Sequence, residues 1–261
     1  MTRPKAIKPV STGDGYHRMM VYGEPGVGKT VFAGSSPKAL ILANDEAEVM
    51  SAAALGSKAD VWSVSNFSEL ADAYEYLRHE GQDEYDWVWV DNVTLMQDQN
   101  MDHVMEALVA AKPSRNRWVP DQHEYLVNQN QLSTVVRDFK KLSMHVGFTA
   151  HQMKTEDDEG RVLYLPMIQG GQGMLAQKIC GYMNIVGCMQ VVRKEDGIHR
   201  KMIVEKRSKY LAKGRFPGMP GVLDDPTVPK LESAIAATVA TPKQAKRPAR
   251  KKTKQTTRKA T

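Results

Sequence analysis

The sequence predicts an α/β layer fold on a mostly parallel central sheet. Three observations carry that prediction. Short apolar, β-rich runs alternate with segments of helical period between Arg18 and Ala150. A glycine-rich loop, Gly23 to Thr30, joins the first apolar run to the first helical segment. Asp91 closes the apolar run 87–90, and the carboxyl ends of strands are where open α/β sheets bind ligands.

Taken in order, residues 1–17 read as a loose arm. Residues 18–22 form a strand entering Gly23. Residues 30–34 make only a short helix, because Ser35-Ser36-Pro37 stops it. Strands follow at 39–43 and 61–64. Asn66 caps a helix running to about His79, with Leu70, Tyr74 and Leu77 on one face. The run Asp-Trp-Val-Trp-Val at 86–90 is a strand. Helical spacing then holds over 93–111, through Met101, Val104, Met105 and Leu108. A basic, proline-bounded loop spans 112–120. A second long helix covers 121–144, with Val135, Val136, Phe139 and Leu142 in register. Residues 145–150 form the next strand.

Beyond His151 the pattern changes. Residues 152–173 read as a polar, glycine-rich excursion, expected to be a mobile loop. Strands at 182–193 and 198–207 flank the turn Glu195-Asp196-Gly197. Residues 209–229, with seven Gly or Pro, read as irregular, and 231–239 as a last short helix. From Thr241 the chain has too little apolar character to bury, and disorder is expected. The expected organisation is therefore an arm at 1–17, one domain over 18–240 and a basic tail at 241–261.

The 261 residues are 41% hydrophobic and 25% charged, which excludes wholesale disorder. The net charge of +6 is uneven. The tail holds nine Lys or Arg and no acid, so removing it leaves −3 on residues 1–240. The two cysteines, Cys180 and Cys188, exclude a disulfide framework and a cysteine-based zinc module, and suit a reducing compartment. Residues 1–15 lack the apolar run of a secretory signal. The longest uncharged apolar stretch, 179–192, is 14 residues, short of the ~20 that a membrane helix needs. A cytoplasmic protein with no membrane partner is expected.

Gly23-Glu24-Pro25-Gly26-Val27-Gly28-Lys29-Thr30 fits G-x-x-x-x-G-K-[ST] in full. Glycines let backbone N–H groups curl around phosphate oxygens, and the helix beginning at Gly28 turns its positive end to the same anion. Lys29 supplies a charge for the β- and γ-phosphates and Thr30 a hydroxyl for Mg²⁺. Asp91 suits the second Mg²⁺-organising acid. ATP with Mg²⁺ is the implied ligand. With no H-x-x-x-H pair among seven histidines, no further metal is expected.

Asn92 stands where many ring ATPases of the AAA+ type place a glutamate. The segment Asn44-Asp45-Glu46 ends the strand after the loop's helix, where RecA-like ATPases place theirs; Glu46 is the expected base, with Asp45 as the alternative. The strand 145–150 leads into His151, with Gln152 next; in this Thr-Ala-His strand end His151 resembles the polar residue by which RecA-like proteins sense the γ-phosphate. In Ala-Lys213-Gly-Arg215 the two cations resemble the pair that RecA-like proteins send to a neighbour's ATP.

Taken together over about residues 16–235, the chain resembles the phage-encoded RecA-like ATP-binding proteins of single-strand annealing and recombination. The resemblance implies a RecA-like P-loop NTPase core and ATP hydrolysis stimulated by single-stranded DNA. It also implies a ring or filament of identical chains, a single-strand binding protein among the partners, and a host-cytoplasm location. Lys29, Glu46, Asp91 and His151 would then be catalytic, and Lys213 and Arg215 would act in trans. The alternatives are an AAA+-type helicase loader or ring ATPase, and a P-loop kinase of a small molecule.

For DNA, the tail's Arg247, Arg250, Lys251 and Lys252 offer sequence-independent attraction to phosphates. Arg115, Arg117 and Trp118 in the 112–120 loop combine cations with a ring that can stack on a base. Lys154 and Arg161 could reach phosphates from 152–173, although Glu156, Asp157, Asp158 and Glu159 lie between them.

Overall fold

The computed structural model describes residues 15–157, 159–207 and 209–239. The arm residues 1–14 and the tail, with Arg247, Arg250, Lys251 and Lys252, lie outside the described residues. β1 (Arg18–Gly23) leads through the glycine-rich loop to α1 (Lys29–Gly34), β2 (Ala39–Ala43) and α2 (Met50–Ala53). β3 (Asp60–Ser63), α3 (Phe67–His79), β4 (Trp87–Asp91), α4 (Val93–Ala111) and α5 (Gln122–Phe139) follow. β5 (His145–Glu156), β6 (Val162–Pro166), α6 (Met174–Tyr182), β7 (Ile185–Lys194) and β8 (Gly197–Ile203) come next. β9 (Lys213–Gly214), β10 (Val222–Asp224) and α7 (Val228–Val239) complete the order.

The sheet runs β10-β8-β7-β1-β5-β4-β2-β3. The six strands from β7 to β3 are parallel to their neighbours, as strand–helix alternation requires. β1 therefore sits centrally, and β4 lies one strand beyond its neighbour β5. Side chains alternate between two faces. Met20, Tyr22, Val88, Val90 and Phe148 pack with α3, α5 and α6 on one face. Met19, Val21, Trp87 and Trp89 pack with Phe32 of α1 and Leu231 and Ile235 of α7 on the other.

Close approaches shape the packing of β4 against β5. Trp87 and Trp89 stack with centroids 5.4 Å apart, and Gly147 lies opposite Trp89. A Cβ at Gly147 would fall 2.2 Å from the Trp89 ring, so only glycine fits. At the strands' N-terminal edge, the buried Arg18 guanidinium donates to the carbonyls of His17, Lys140, Leu142 and Met144. It closes the turn between α5 and β5.

Several expectations need correction. The 152–173 excursion is no mobile loop: β5 runs on to Glu156 and pairs antiparallel with β6, Gln152 opposite Pro166 and Glu156 opposite Val162. The alternation Met153, Thr155 and Leu163, Leu165 was masked by the charged hairpin tip. The helix expected over 121–144 ends at Phe139, where carbonyls turn toward Arg18. The strand placed at 182–193 begins at Ile185, and α6 precedes it. Residues 209–229 are not wholly irregular, for β9 pairs with β7 and β10 with β8. Within the expected arm, His17 is buried. Among the described residues no helix is long and apolar enough to cross a membrane.

Candidate functional site

The glycine-rich loop leaves β1 at its C-terminal edge. Gly26 and Gly28 have φ of 77° and 96°, a left-handed conformation that side chains resist. The turn delivers Lys29 to the first residue of α1, 7% exposed, where its Nζ donates to the carbonyls of Gly23 (3.1 Å) and Glu24 (3.0 Å). Burial pulls the Lys29 pKa down; Asp91 and Glu48 oppose that pull. Thr30 follows, half-buried.

Asp91 ends β4 at the same edge and is 2% exposed. Its Oδ1 accepts a hydrogen bond from the buried Thr149 hydroxyl of β5. Its Oδ2 is buried with no hydrogen-bond partner among the described residues. A buried carboxylate oxygen without a partner is costly, and a cation removes that cost. Thr30 and Asp91 thus offer the hard oxygen donors that suit Mg²⁺, and the loop offers the cradle for its phosphate counter-ion.

His151 stands beside them. Its backbone N–H donates to Thr94 Oγ1 (3.0 Å), and its Nε2 lies 3.3 Å from Asn92 Nδ2. Burial and Lys29 pull its pKa down, while Asp91 pushes it up. Lys29, Asp91 and His151, separated in sequence, therefore meet at one edge.

The acidic segment is arranged differently from the expectation. Asn44 is a brace: its Oδ1 accepts from the Asn92 backbone N–H, and its amide donates to Gln99. Asp45 caps a short turn by accepting from Ala47 N–H. Glu46 is exposed and accepts from Ser63 Oγ on β3, at 3.4 Å. Glu48, two residues on, is half-buried on the turn that packs against α1. Burial raises its pKa, as do Asp91 and Asp45, and Lys29 lowers it. Glu48 is the carboxylate that shares the field of Lys29 and Asp91. Sequence reasoning missed it because a strand-end rule stops at Glu46 and does not see the turn.

Two further residues were missed. Thr149 lay hidden inside an apolar strand; a lone hydroxyl in such a run was the available signal. Arg200 of β8 reaches the loop, its Nε donating to Val27 O at 3.1 Å. That contact is long-range and had no sequence signal.

The remaining cations lie away from this edge. Lys213 Nζ donates to Cys180 O (2.7 Å) and Arg215 to Gly181 O (3.3 Å), so both cap the C-terminus of α6. Arg115 is paired with Asp121 and Glu124. Arg117 pairs with Glu106 and lies 5.2 Å over the Trp118 ring, which is 79% exposed. These three sit on the connection between α4 and α5. Beyond Asn100 only Met105 of α4 is buried, and before Asn128 only Glu124 of α5, so the pair extends out from the core. Lys154 is exposed on β5, and Arg161 pairs with Asp157 and Glu159. Cys180 and Cys188 are free and buried, their thiols pushed up to about 12 and about 11 by burial.

Comparison with known proteins gives one family match. A family model described as "AAA domain" matches residues 16–216. No curated protein matches the sequence. Among solved structures, one titled "Crystal structure of the RadB recombinase" aligns at a TM-score of 0.45 with 14% identity, covering 79% of this chain and 84% of that one.

Proposed function

The chain belongs to the AAA domain family, and from that premise we propose that it binds ATP with Mg²⁺, hydrolyses it and couples the cycle to single-stranded DNA as an oligomer. The observation that carries the reading is that Lys29 and Asp91, whose buried Oδ2 has no partner among the described residues, share one edge of the sheet. On this reading the loop's N–H groups and Lys29 hold the phosphates. Thr30 and Asp91 hold Mg²⁺, which when bound neutralises phosphate charge. Thr149 fixes the Asp91 carboxylate by its hydrogen bond.

Glu48 is the acid we assign to take a proton from an attacking water, because it is half-buried on the turn beside α1 and feels the charges of Lys29 and Asp91, while Glu46 is exposed and accepts from Ser63. His151 reads the phosphate end from the next strand. Lys213 and Arg215 act in trans only if an assembled neighbour draws them off the α6 carbonyls. For DNA, the exposed Trp118 and Arg117 support stacking, and the charge of residues 241–261 supports salt-dependent attraction. Recombination, annealing or replication is the setting that the RecA-like resemblance suggests.

The test is ATP hydrolysis by the full chain at low salt, with and without single-stranded DNA, alongside mass by light scattering. Stimulated hydrolysis by an oligomer is expected. A folded chain that binds ATP but shows no stimulation would remove the DNA part of the reading. Deleting 241–261 should weaken DNA binding and flatten its salt dependence while sparing ATP.

A further inference from the structure

Arg200 belongs to no motif, yet it is built into the phosphate loop. Its Nε donates to Val27 O at 3.1 Å. A Cβ on Gly28 would lie 2.8 Å from that Nε and 3.7 Å from the guanidinium carbon. Gly28 is favoured by its φ, and Arg200 packs directly against it. The backbone of Arg200 is itself pinned. Its N–H donates to Asp225 Oδ1 at 2.9 Å, and its carbonyl accepts from Asp225 N–H at 2.7 Å. Asp225 is held in turn: its Oδ2 lies 3.1 Å from His199 Nδ1, and its carbonyl accepts from Lys230 Nζ. The guanidinium is therefore placed by the fold rather than left on a free side chain.

Among the described residues no carboxylate pairs with Arg200; the Val27 carbonyl is its side-chain acceptor. A half-buried cation with donors to spare, beside a loop shaped for an anion, suits a charge that arrives with a ligand. In such a loop the N–H groups turn inward to phosphate and the carbonyls outward. Holding the Val27 carbonyl outward turns the Gly28 N–H inward.

We propose that Arg200 is a positioning residue for the nucleotide, supplied by the same chain from β8, which holds the Val27–Gly28 peptide in its phosphate-receiving orientation and adds positive charge to the loop. The proposal rests on the nucleotide-binding reading above. Its contact is with the loop backbone, so it serves nucleoside di- and triphosphates alike.

The test is calorimetric binding of Mg²⁺-ATP and Mg²⁺-ADP to the full chain and to Arg200→Ala and Arg200→Gln. The Gln amide nitrogen sits where Nε does, keeping the Val27 bond without the charge. Arg200→Ala should raise both Kd values about tenfold and by similar factors, with the nucleotide-free melting temperature unchanged. Arg200→Gln should raise them about threefold, with a flatter salt dependence. Wild-type Kd values in Arg200→Ala overturn the proposal, and so does a loss confined to ATP. If Arg200→Ala does not fold, Arg200→Gln decides: a raised Kd supports the proposal and an unchanged one overturns it. A wild-type chain that binds neither nucleotide defeats the nucleotide reading itself, which is a different result.

Discussion

Arg18 and Lys29 are both buried cations at opposite edges of the sheet, Arg18 opening β1 and Lys29 opening α1 beyond the loop that follows β1, and they are treated in opposite ways. At the N-terminal edge, Arg18 spends its guanidinium on four backbone carbonyls, three of them from the single turn between α5 and β5. At the C-terminal edge, Lys29 has two loop carbonyls, and Asp91, whose charge it feels, keeps one oxygen without a partner among the described residues. A cation committed to four backbone carbonyls holds a fold together. A cation and a carboxylate left short of partners in a buried edge are costly to the fold and suited to a ligand.

The contrast predicts unequal responses. Arg18→Ala leaves several buried carbonyls unpaired and should lose about 4 kcal/mol of stability, read as a lower urea midpoint at constant m-value; an unchanged midpoint would reduce Arg18 to a bystander. The same edge carries a pH response. Burial, helped by His145 and Arg18, holds the His17 pKa down to about 4. The unfolded chain binds that proton near 6.5. Stability is therefore full above about pH 6.5 and is lost as pH falls through 4, by up to about 3 kcal/mol. Replacing His17 with Gln should remove that share of the acid loss; identical acid profiles for the two proteins would contradict it.

Responses at the other edge should spare the fold. Lys29→Ala should weaken ATP binding about a hundredfold, near 2.7 kcal/mol, while its nucleotide-free melting temperature stays within a few degrees of wild type. A collapse in stability would make Lys29 structural, like Arg18. The smallest effects separate two carboxylates. Glu48→Gln should slow hydrolysis about tenfold or more with ATP affinity retained, and Glu46→Gln should change it less than about twofold. The reverse ranking would restore Glu46 as the base.

What the sequence made legible follows the range of the interactions involved. The loop 23–30 and Asp91 were readable because each is local: glycine spacing and one acid after an apolar run. The parallel layer followed from strand–helix alternation for the same reason. The β5–β6 hairpin was hidden because its apolar positions straddle a charged tip, with Glu156, Asp157 and Glu159. Glu48 was hidden because it sits on a turn two residues beyond the strand-end position, and Arg200 because its contact with Val27 spans 173 residues of sequence. Lys213 and Arg215 matched a pattern in sequence, yet in the structure they cap α6; spacing alone does not say which acceptors a cation meets.

The central claim is that the C-terminal edge is left short of partners for a nucleotide. The measurement that tests it most directly is the melting temperature of wild type and Lys29→Ala with Mg²⁺ alone and with Mg²⁺-ATP. At ATP concentrations near a hundred times Kd, binding adds about 2.7 kcal/mol. Wild type should then melt several degrees higher, by about 5–10 °C, and Lys29→Ala should move by no more than about 1 °C. No shift in the wild type, or an equal shift in both, would contradict the account.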